Sequence, residues 1–251
     1  MRCPPFALSA AFVITALAAS PAAAQDEPRV RLTFESAGVW QNRNDVRIPP
    51  DTGTEFSITD LIGAGPSSAV RAEFTARLTE RQELRLVYAP LRVTGSGVAP
   101  DRLEFAGRTF TAAPIDADYQ FSSYRATYRF RIVDGETWRW WLGFTAFVRD
   151  ARIALAQAGV SAEDTDLGFV PLGHLAGTAR LSDRWRFDLD LDFAAAPQGR
   201  ALDLAALMRY ETTPRWHVAF GYRTIEGGAD VDQVYTFAWI NAAVVQVGVG
   251  F

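Results

Sequence analysis

The sequence predicts an all-β protein: a single closed antiparallel transmembrane β-barrel of about ten strands, with short periplasmic turns and longer extracellular loops. Three observations carry this prediction: segments in which apolar and polar residues alternate, connections that alternate between short and long, and a last strand that ends the chain on Phe251. Alternation with a period of two is typical of a strand that separates two different environments.

The last strand gives the clearest pattern. One face carries Tyr235, Phe237, Trp239, Asn241, Ala243, Val245, Val247, Val249 and Phe251, and the other carries Thr236, Ala238, Ala242, Gln246, Gly248 and Gly250. A face of aromatic and branched residues opposite a face of small or polar ones indicates that one side meets lipid and the other a polar interior.

The first 24 residues are predicted to be a cleaved signal peptide, which leaves residues 25–251 as the barrel domain. Arg2 supplies a positive start, residues 6–17 are apolar, and three alanines precede Gln25. A membrane anchor is the alternative, but the apolar stretch is shorter than the roughly 20 residues that a transmembrane helix needs. Cys3 would leave with the signal, so we expect no disulfide, thiolate metal site or cysteine nucleophile in the mature chain.

Composition excludes several classes of protein. The net charge of −4 and the pI near 5.3 do not favour a nucleic-acid partner. After residue 24 no apolar run is long enough for a membrane helix, whereas alternating strands conceal their lipid-facing residues from such a test. The 25 basic residues are all arginine, whose planar charged group forms bidentate pairs with carboxylates.

The alternating segments and their connections follow a regular order. Strands are predicted at residues 30–41, 70–79, 84–88, 123–132, 138–149, 167–181, 185–193, 202–210, 216–223 and 235–251, with the sixth weakened by Pro171, Gly173 and Gly177. Longer connections are predicted at residues 42–67, 94–117 (with a hairpin over 102–111), 156–166, 197–200 and 226–233, and tight turns at 80–81, 134–135, 182–183 and 212–214. This rhythm places both ends of the barrel domain on the periplasmic side.

Charged side chains fall on the face opposite the apolar one, and we expect them to form a lumen charge network. It consists of Arg71, Glu73, Arg77, Arg85, Arg125, Arg129, Arg131, Arg139, Arg149, Arg186, Asp188, Asp190, Asp192, Asp203, Arg209 and Arg223. A soluble barrel would also alternate, with its charges turned to water. Aromatic residues near the strand ends favour the membrane, since such belts mark bilayer interfaces: Trp138, Trp140, Trp185, Trp216, Tyr222, Tyr235 and Phe251.

The terminal aromatic strand and the alternation of turns and loops resemble those of small bacterial outer-membrane β-barrel proteins, over residues 29–251. The resemblance does not select a subfamily. It implies the outer membrane of a Gram-negative bacterium as the location, and lipid and lipopolysaccharide as partners. It also implies recognition of the strand ending at Phe251 by the barrel-assembly machinery.

A ten-stranded barrel is narrow, because eight strands leave room only for side chains and an open channel needs 16 to 18. We therefore expect a monomer whose mostly filled, arginine-rich lumen gives it a structural role, or a porin-like role as a narrow conduit for small solutes, biased toward anions. Acidic outer loops that bridge divalent cations to lipopolysaccharide are a further possibility, with plain solvated loops as the simpler interpretation.

The alternative function is a barrel enzyme that modifies lipid or lipopolysaccharide. The pairing predicted through the turn at residues 182–183 brings His174 near Asp190 or Asp192, and such a pair can act as a general base. Outer-membrane proteases with ten strands use paired acids and a His-Asp couple, but this sequence has no Asp-x-His pair on a strand, so that activity is not carried over. Because arginines surround both histidines, we expect neither a metal nor a cofactor. His217 is expected to be structural.

Overall fold

The computed structural model of the protein describes residues 28–99, 101–232 and 234–251. The predicted signal peptide, residues 1–24, lies outside these ranges, as do the first three residues of the predicted barrel domain. Among the described residues, no helix is both long enough and apolar enough to cross a membrane.

Ten long strands form the wall of a barrel, and short elements lie in its first two outer connections. The wall consists of β1 (Val30–Arg47), β3 (Ser67–Arg77), β4 (Gln82–Ala89), β8 (Pro114–Asp134), β9 (Trp138–Gln157), β10 (Val160–Arg180), β11 (Trp185–Ala196), β12 (Gly199–Glu211), β13 (Trp216–Val231) and β14 (Val234–Gly250). The connections contain β2 (Phe56–Ser57), α1 (Ile58–Ile62), β5 (Arg92–Val98), β6 (Leu103–Phe105) and β7 (Arg108–Phe110).

The barrel is closed and antiparallel throughout. Each wall strand pairs with the next along the chain, and β14 pairs with β1 from Arg31 opposite Gly250 to Arg47 opposite Tyr235. Where the strands pair on both sides, closure removes the sheet edges, so that the backbone polar groups there find partners without water. The predicted fold class, a single closed ten-stranded antiparallel barrel, is confirmed.

The side chains are arranged inside out relative to a soluble protein. Phe34 and Phe144 point outward and are 55% and 61% exposed, whereas Arg85 and Arg125 point inward and are 2% and 5% exposed. Burying guanidinium groups while leaving phenylalanines exposed would be unfavourable in water. The outer face therefore suits a lipid bilayer.

Aromatic side chains pair with one another near the short-turn end. Trp138 and Trp140 stack with their ring centroids 5.1 Å apart, and Trp185 contacts Tyr210 at 4.9 Å. Amphipathic rings at one height around a barrel mark the interface between hydrocarbon and headgroups. Trp216 is exposed at this same end, at the start of β13.

Several segments predicted to be loops continue the strands instead. Residues 156–166 form the outer parts of β9 and β10, which meet at a two-residue turn, and most of residues 226–233 belong to β13. Ala158 and Gly159 in that turn have φ angles of 40° and 87°, the left-handed geometry that suits the twist of a hairpin. Pro171 does not interrupt β10, which runs unbroken through it.

The outer parts of the barrel wall enclose a separate apolar core, which we call the cap. Its buried centre is formed by side chains from α1, the β6–β7 hairpin and the extended strands: Ile58, Leu61, Leu103, Phe105, Phe110, Ile115 and Leu155. The hairpin predicted over residues 102–111 is present here, and the backbone N–H of Ala106 donates to the carbonyl of Ile48. The same apolar cluster continues into the barrel through Leu207, Ala219, Ile240 and Val244. The first two outer connections are thus packed rather than solvated.

Two glycines in β5 allow α1 to approach the strand closely. A Cβ atom on Gly97 would lie 2.7 Å from the Cα of Leu61, and one on Gly95 would lie 2.7 Å from the Cα of Ile62. These contacts are with helix backbone, which has no rotamer to give way, so a side chain at either position must displace α1.

We expect Gly97→Ala to lower the free energy of unfolding by about 1–3 kcal/mol, the usual cost of overpacking. Urea unfolding of the barrel in lipid vesicles, followed by tryptophan fluorescence, measures this change. Gly38→Ala is the matched control, because a Cβ there meets the Trp40 ring at an ordinary 3.6 Å. Equal stabilities of the two variants would contradict the proposed packing of α1 on β5.

Candidate functional site

The centre of the lumen is spanned by Arg125 of β8. Its Nη1 lies 2.8 Å from Oδ2 of Asp192 on β11 and 2.7 Å from Oδ2 of Asp203 on β12. Since β9, β10 and β11 lie between β8 and β12 in the barrel order, these ion pairs cross the interior instead of joining neighbouring strands. Inward alternation on each strand places the three side chains at this point.

A second crossing is made by Arg85 of β4. Its Nη1 lies 2.5 Å from Oδ2 of Asp190, and its Nη2 lies 3.7 Å from Oδ2 of Asp192. Asp190 and Asp192 are two residues apart on β11, so both carboxylates point inward, and Asp188 precedes them on the same face. The acidic ladder of β11 thus provides the partners for arginines on the opposite wall.

Arg223 of β13 completes the network beside the seam where the barrel closes. It donates to Glu35 of β1 through Nη2 at 3.0 Å and to Asp203 through Nη1 at 2.7 Å. Gln246 of β14 donates to the same Glu35 carboxylate at 2.6 Å, and Arg71 of β3 lies 3.4 Å from Asp203. Asp203 therefore has three arginines around it.

The network fills the cross-section of the barrel. The side chains of Arg125, Asp192 and Asp203 are between 1% and 3% exposed, so water does not reach them. Two aromatic rings occupy further space, since Arg125 lies 4.8 Å above the Phe147 ring and Arg129 lies 5.3 Å above that of Trp141. Cation–π contacts of this kind strengthen when water is absent.

His174 lies inside this network and has no exposed surface. Its Nδ1 is 2.8 Å from Oδ1 of Asp192, the oxygen that also accepts a hydrogen bond from Thr145 at 2.8 Å. Within the described residues, Nε2 of His174 has no hydrogen-bond partner. Of the two acids considered from the sequence, Asp192 is the one bonded to His174. The register agrees, because it sets His174 directly opposite Asp192.

His174, Asp190 and Asp192 also come within the range of a shared cation. One ligand atom from each lies within 4.8 Å of the others. However, Arg85 is bonded to Asp190 and Arg125 to Asp192, so a metal ion would have to displace two guanidinium groups that already balance these carboxylates. The donor set is therefore a poor match for a metal.

The remaining residues of the predicted network lie toward the two ends of the barrel. At the short-turn end, Arg209 pairs with Asp188 at 2.8 Å and Arg139 with Asp134 at 3.2 Å. Also at this end, Arg131 pairs with Asp134, Arg186 donates to the Ser182 carbonyl, and Arg77 lies opposite Glu83.

At the loop end, Arg149 pairs with Asp166. Glu73 lies 3.8 Å from Arg85, between the ends and the centre.

The sequence did not reveal the apolar side of the interior. Leu207, Ala219, Ile240 and Val244 face inward on β12 to β14, and Trp141 and Phe147 do so on β9. Those two aromatics lie among outward-facing ones in the sequence, and only their odd numbering against Trp140, Leu142 and Phe144 distinguishes them. His217 is also enclosed, against Gly248, where a Cβ would overlap its ring.

We expect Arg125→Met to lower the free energy of unfolding by about 3–5 kcal/mol, since it leaves two buried carboxylates short of a partner. Urea unfolding in lipid vesicles measures this loss. Arg180→Met is the control, because Arg180 pairs with Asp183 where both side chains are exposed, and such pairs contribute little. Equal losses in the two variants would contradict the central role of Arg125.

Comparison with known proteins finds similarity in fold. No protein-family model matches the chain, and no curated protein matches it. Outer membrane protease OmpT from Escherichia coli aligns over 88% of this chain and 96% of its own, with 9% identity and a TM-score of 0.49. The translocator domain of autotransporter NalP from Neisseria meningitidis aligns over 91% of this chain and 90% of its own, with 11% identity and a TM-score of 0.41.

Ail, the attachment invasion locus protein of Yersinia pestis, aligns over 86% of this chain and 97% of its own, with 13% identity and a TM-score of 0.35. At such identities and scores, none of these likenesses transfers an activity, and the assignment rests on the barrel's own geometry. Ten antiparallel strands that close around a charged interior and present an apolar outer face give this chain the fold of a small transmembrane β-barrel.

Proposed function

We propose that the protein is a non-conducting, structural barrel of the outer membrane, sealed at two levels. The observation that carries the proposal is the set of ion pairs that Arg125 makes across the lumen with Asp192 and Asp203. These groups join opposite walls at the membrane level and leave no water contact between them. A pore would need them to separate, which exposes unpaired charges in a region of low dielectric.

The cap supports the same proposal from the outer side. The side chains at its centre are fully buried, and Ile58, Phe105 and Phe110 have no exposed surface. A solute passing inward would first have to displace α1 and the β6–β7 hairpin, and then break the ion pairs below them. Two closures in series favour the structural role over the narrow conduit.

We expect the wild-type barrel to show no conductance steps in a planar lipid bilayer. Since the cap closes the barrel in series with these ion pairs, the double variant Arg85→Ala, Arg125→Ala is tested in a barrel whose cap hairpin, residues 102–111, is replaced by a short glycine–serine linker. We expect small steps that favour cations there, because the lumen then has free space and Asp190 and Asp192 lack their arginines. Steady steps from the wild type would contradict the sealed lumen.

The matched control for conductance is Arg180→Ala, Arg184→Ala, which removes the same charge from the exposed short-turn end. Mobility on an unheated gel in detergent reports whether each variant is folded. The barrel with the hairpin replaced but both arginines present should stay closed, and steady steps from it would contradict the seal in the lumen.

The enclosed position of His174 argues against the alternative function, an enzyme that modifies lipid or lipopolysaccharide. A catalytic base must reach substrate or water, whereas the His174 imidazole reaches neither. We expect diethyl pyrocarbonate to modify neither His174 nor His217 in the folded barrel and both after unfolding in urea, as followed by mass spectrometry. Rapid modification of His174 in the folded state would restore the enzyme hypothesis.

A further inference from the structure

The barrel wall splits at its loop end, where β10 continues beyond its neighbour β11. Residues 173–180 of β10 pair with β11 on one side and with β9 on the other. Among the described residues, positions 160–172 pair only with β9. The outer half of β10 is therefore a long free edge in a barrel that is closed everywhere below.

The backbone groups on this edge follow from the hairpin that joins β9 to β10. The N–H of Arg180 donates to the carbonyl of Thr137, on the β9 side, and the N–H of Leu181 donates to the carbonyl of Trp185, on the β11 side. The backbone groups of even-numbered residues of β10 therefore face β9, and those of odd-numbered residues face the side of β11. The odd positions of the free edge are Ser161, Glu163, Thr165, Leu167, Phe169 and Pro171. Five of them offer both an N–H and a carbonyl, and only Pro171, next to the membrane, lacks the donor.

An edge of this length is a template for another strand. Proteins usually blunt exposed edges with proline, with lysine or with a covering segment. Here the odd side chains are exposed, and Leu167 and Phe169 are 74% and 65% accessible. An extended segment that bonds this edge would gain backbone hydrogen bonds and would also cover these apolar side chains.

The charge on the edge indicates what kind of segment fits. Glu163, Asp164 and Asp166 lie within it, and residues 160–172 include no basic residue. Arg152 and Arg149 of β9 pair with Glu163 and Asp166, but no hydrogen bond or ion pair reaches Asp164 within the described chain. Pairing with a second copy of β10 would set acid against acid, which is unfavourable across a strand pair.

We propose that the outer edge of β10 binds an extended polypeptide segment in which basic residues alternate with apolar ones. The segment adds a strand beside Ser161, Glu163, Thr165, Leu167 and Phe169. Its cations lie on the inner face near Asp164, and its apolar side chains lie on the outer face, where they cover Leu167 and Phe169. This surface lies at the loop end of β10 and does not depend on the sealed lumen, so either proposal can fail without the other.

Fluorescence anisotropy of a labelled peptide of about ten residues that alternates arginine with valine tests the proposal on the full barrel in detergent micelles. We expect it to bind at least about tenfold more tightly than a peptide that alternates glutamate with valine. Thr165→Pro removes one edge N–H and should weaken binding by about tenfold, whereas Thr165→Val keeps that N–H and should stay within about twofold of wild type.

Two further measurements keep the test decisive. The variant Asp164→Asn leaves the backbone intact and should weaken binding of the arginine peptide alone. Equal binding by the Thr165→Pro and Thr165→Val barrels would mean that only surface charge attracts the peptide, and would overturn the proposal. So would failure of the arginine peptide to bind wild type, or a dimer in micelles that Thr165→Pro dissolves, since a second copy would then be the occupant.

Discussion

The structure depends on one constraint, the requirement that charge inside a membrane barrel be balanced without water. The outer face must be apolar to meet lipid, so the polar half of every alternating strand turns inward. In a barrel of ten strands these side chains reach one another across the lumen, and each guanidinium needs a carboxylate within bonding distance. Asp203, with Arg71, Arg125 and Arg223 around it, shows how closely this balance is kept.

The guanidinium group of arginine suits this constraint well. The guanidinium of Arg223 bonds Glu35 and Asp203 at once through different nitrogens, and Arg125 joins two aspartates on different strands. The ammonium group of a lysine is a single compact charge without the planar fork of nitrogens that lets one arginine bond carboxylates on two different strands. Arginine thus serves as a structural tie between walls, and its stacking on Phe147 fills the space that remains.

The cap closes the loop end of the barrel by apolar packing instead of ion pairs. There the inward face of β8 and β9 becomes apolar, with Ile115, Ile153 and Leu155 packed against α1 and the β6–β7 hairpin. The hairpin carries its charge at the surface, where hydrogen bonds from Arg102 and Thr109 hold the pKa of Glu104 below its usual range. Because β8, β9 and β10 continue from the barrel into the cap, they are longer than β11, and the outer edge of β10 is left without a neighbour.

The sequence alone determined the number of strands, the inward and outward face of most of them, and the closed barrel. Each of these follows from the alternation of apolar and polar residues, which can be read from neighbouring residues without knowing what a strand packs against. It also placed His174 beside the acidic ladder of β11. It did not determine that residues 156–166 are strand, that Trp141 and Phe147 point inward among arginines, or which acid bonds which arginine. Those outcomes depend on register, barrel closure and packing between segments far apart in the chain, and only the tertiary structure fixes them.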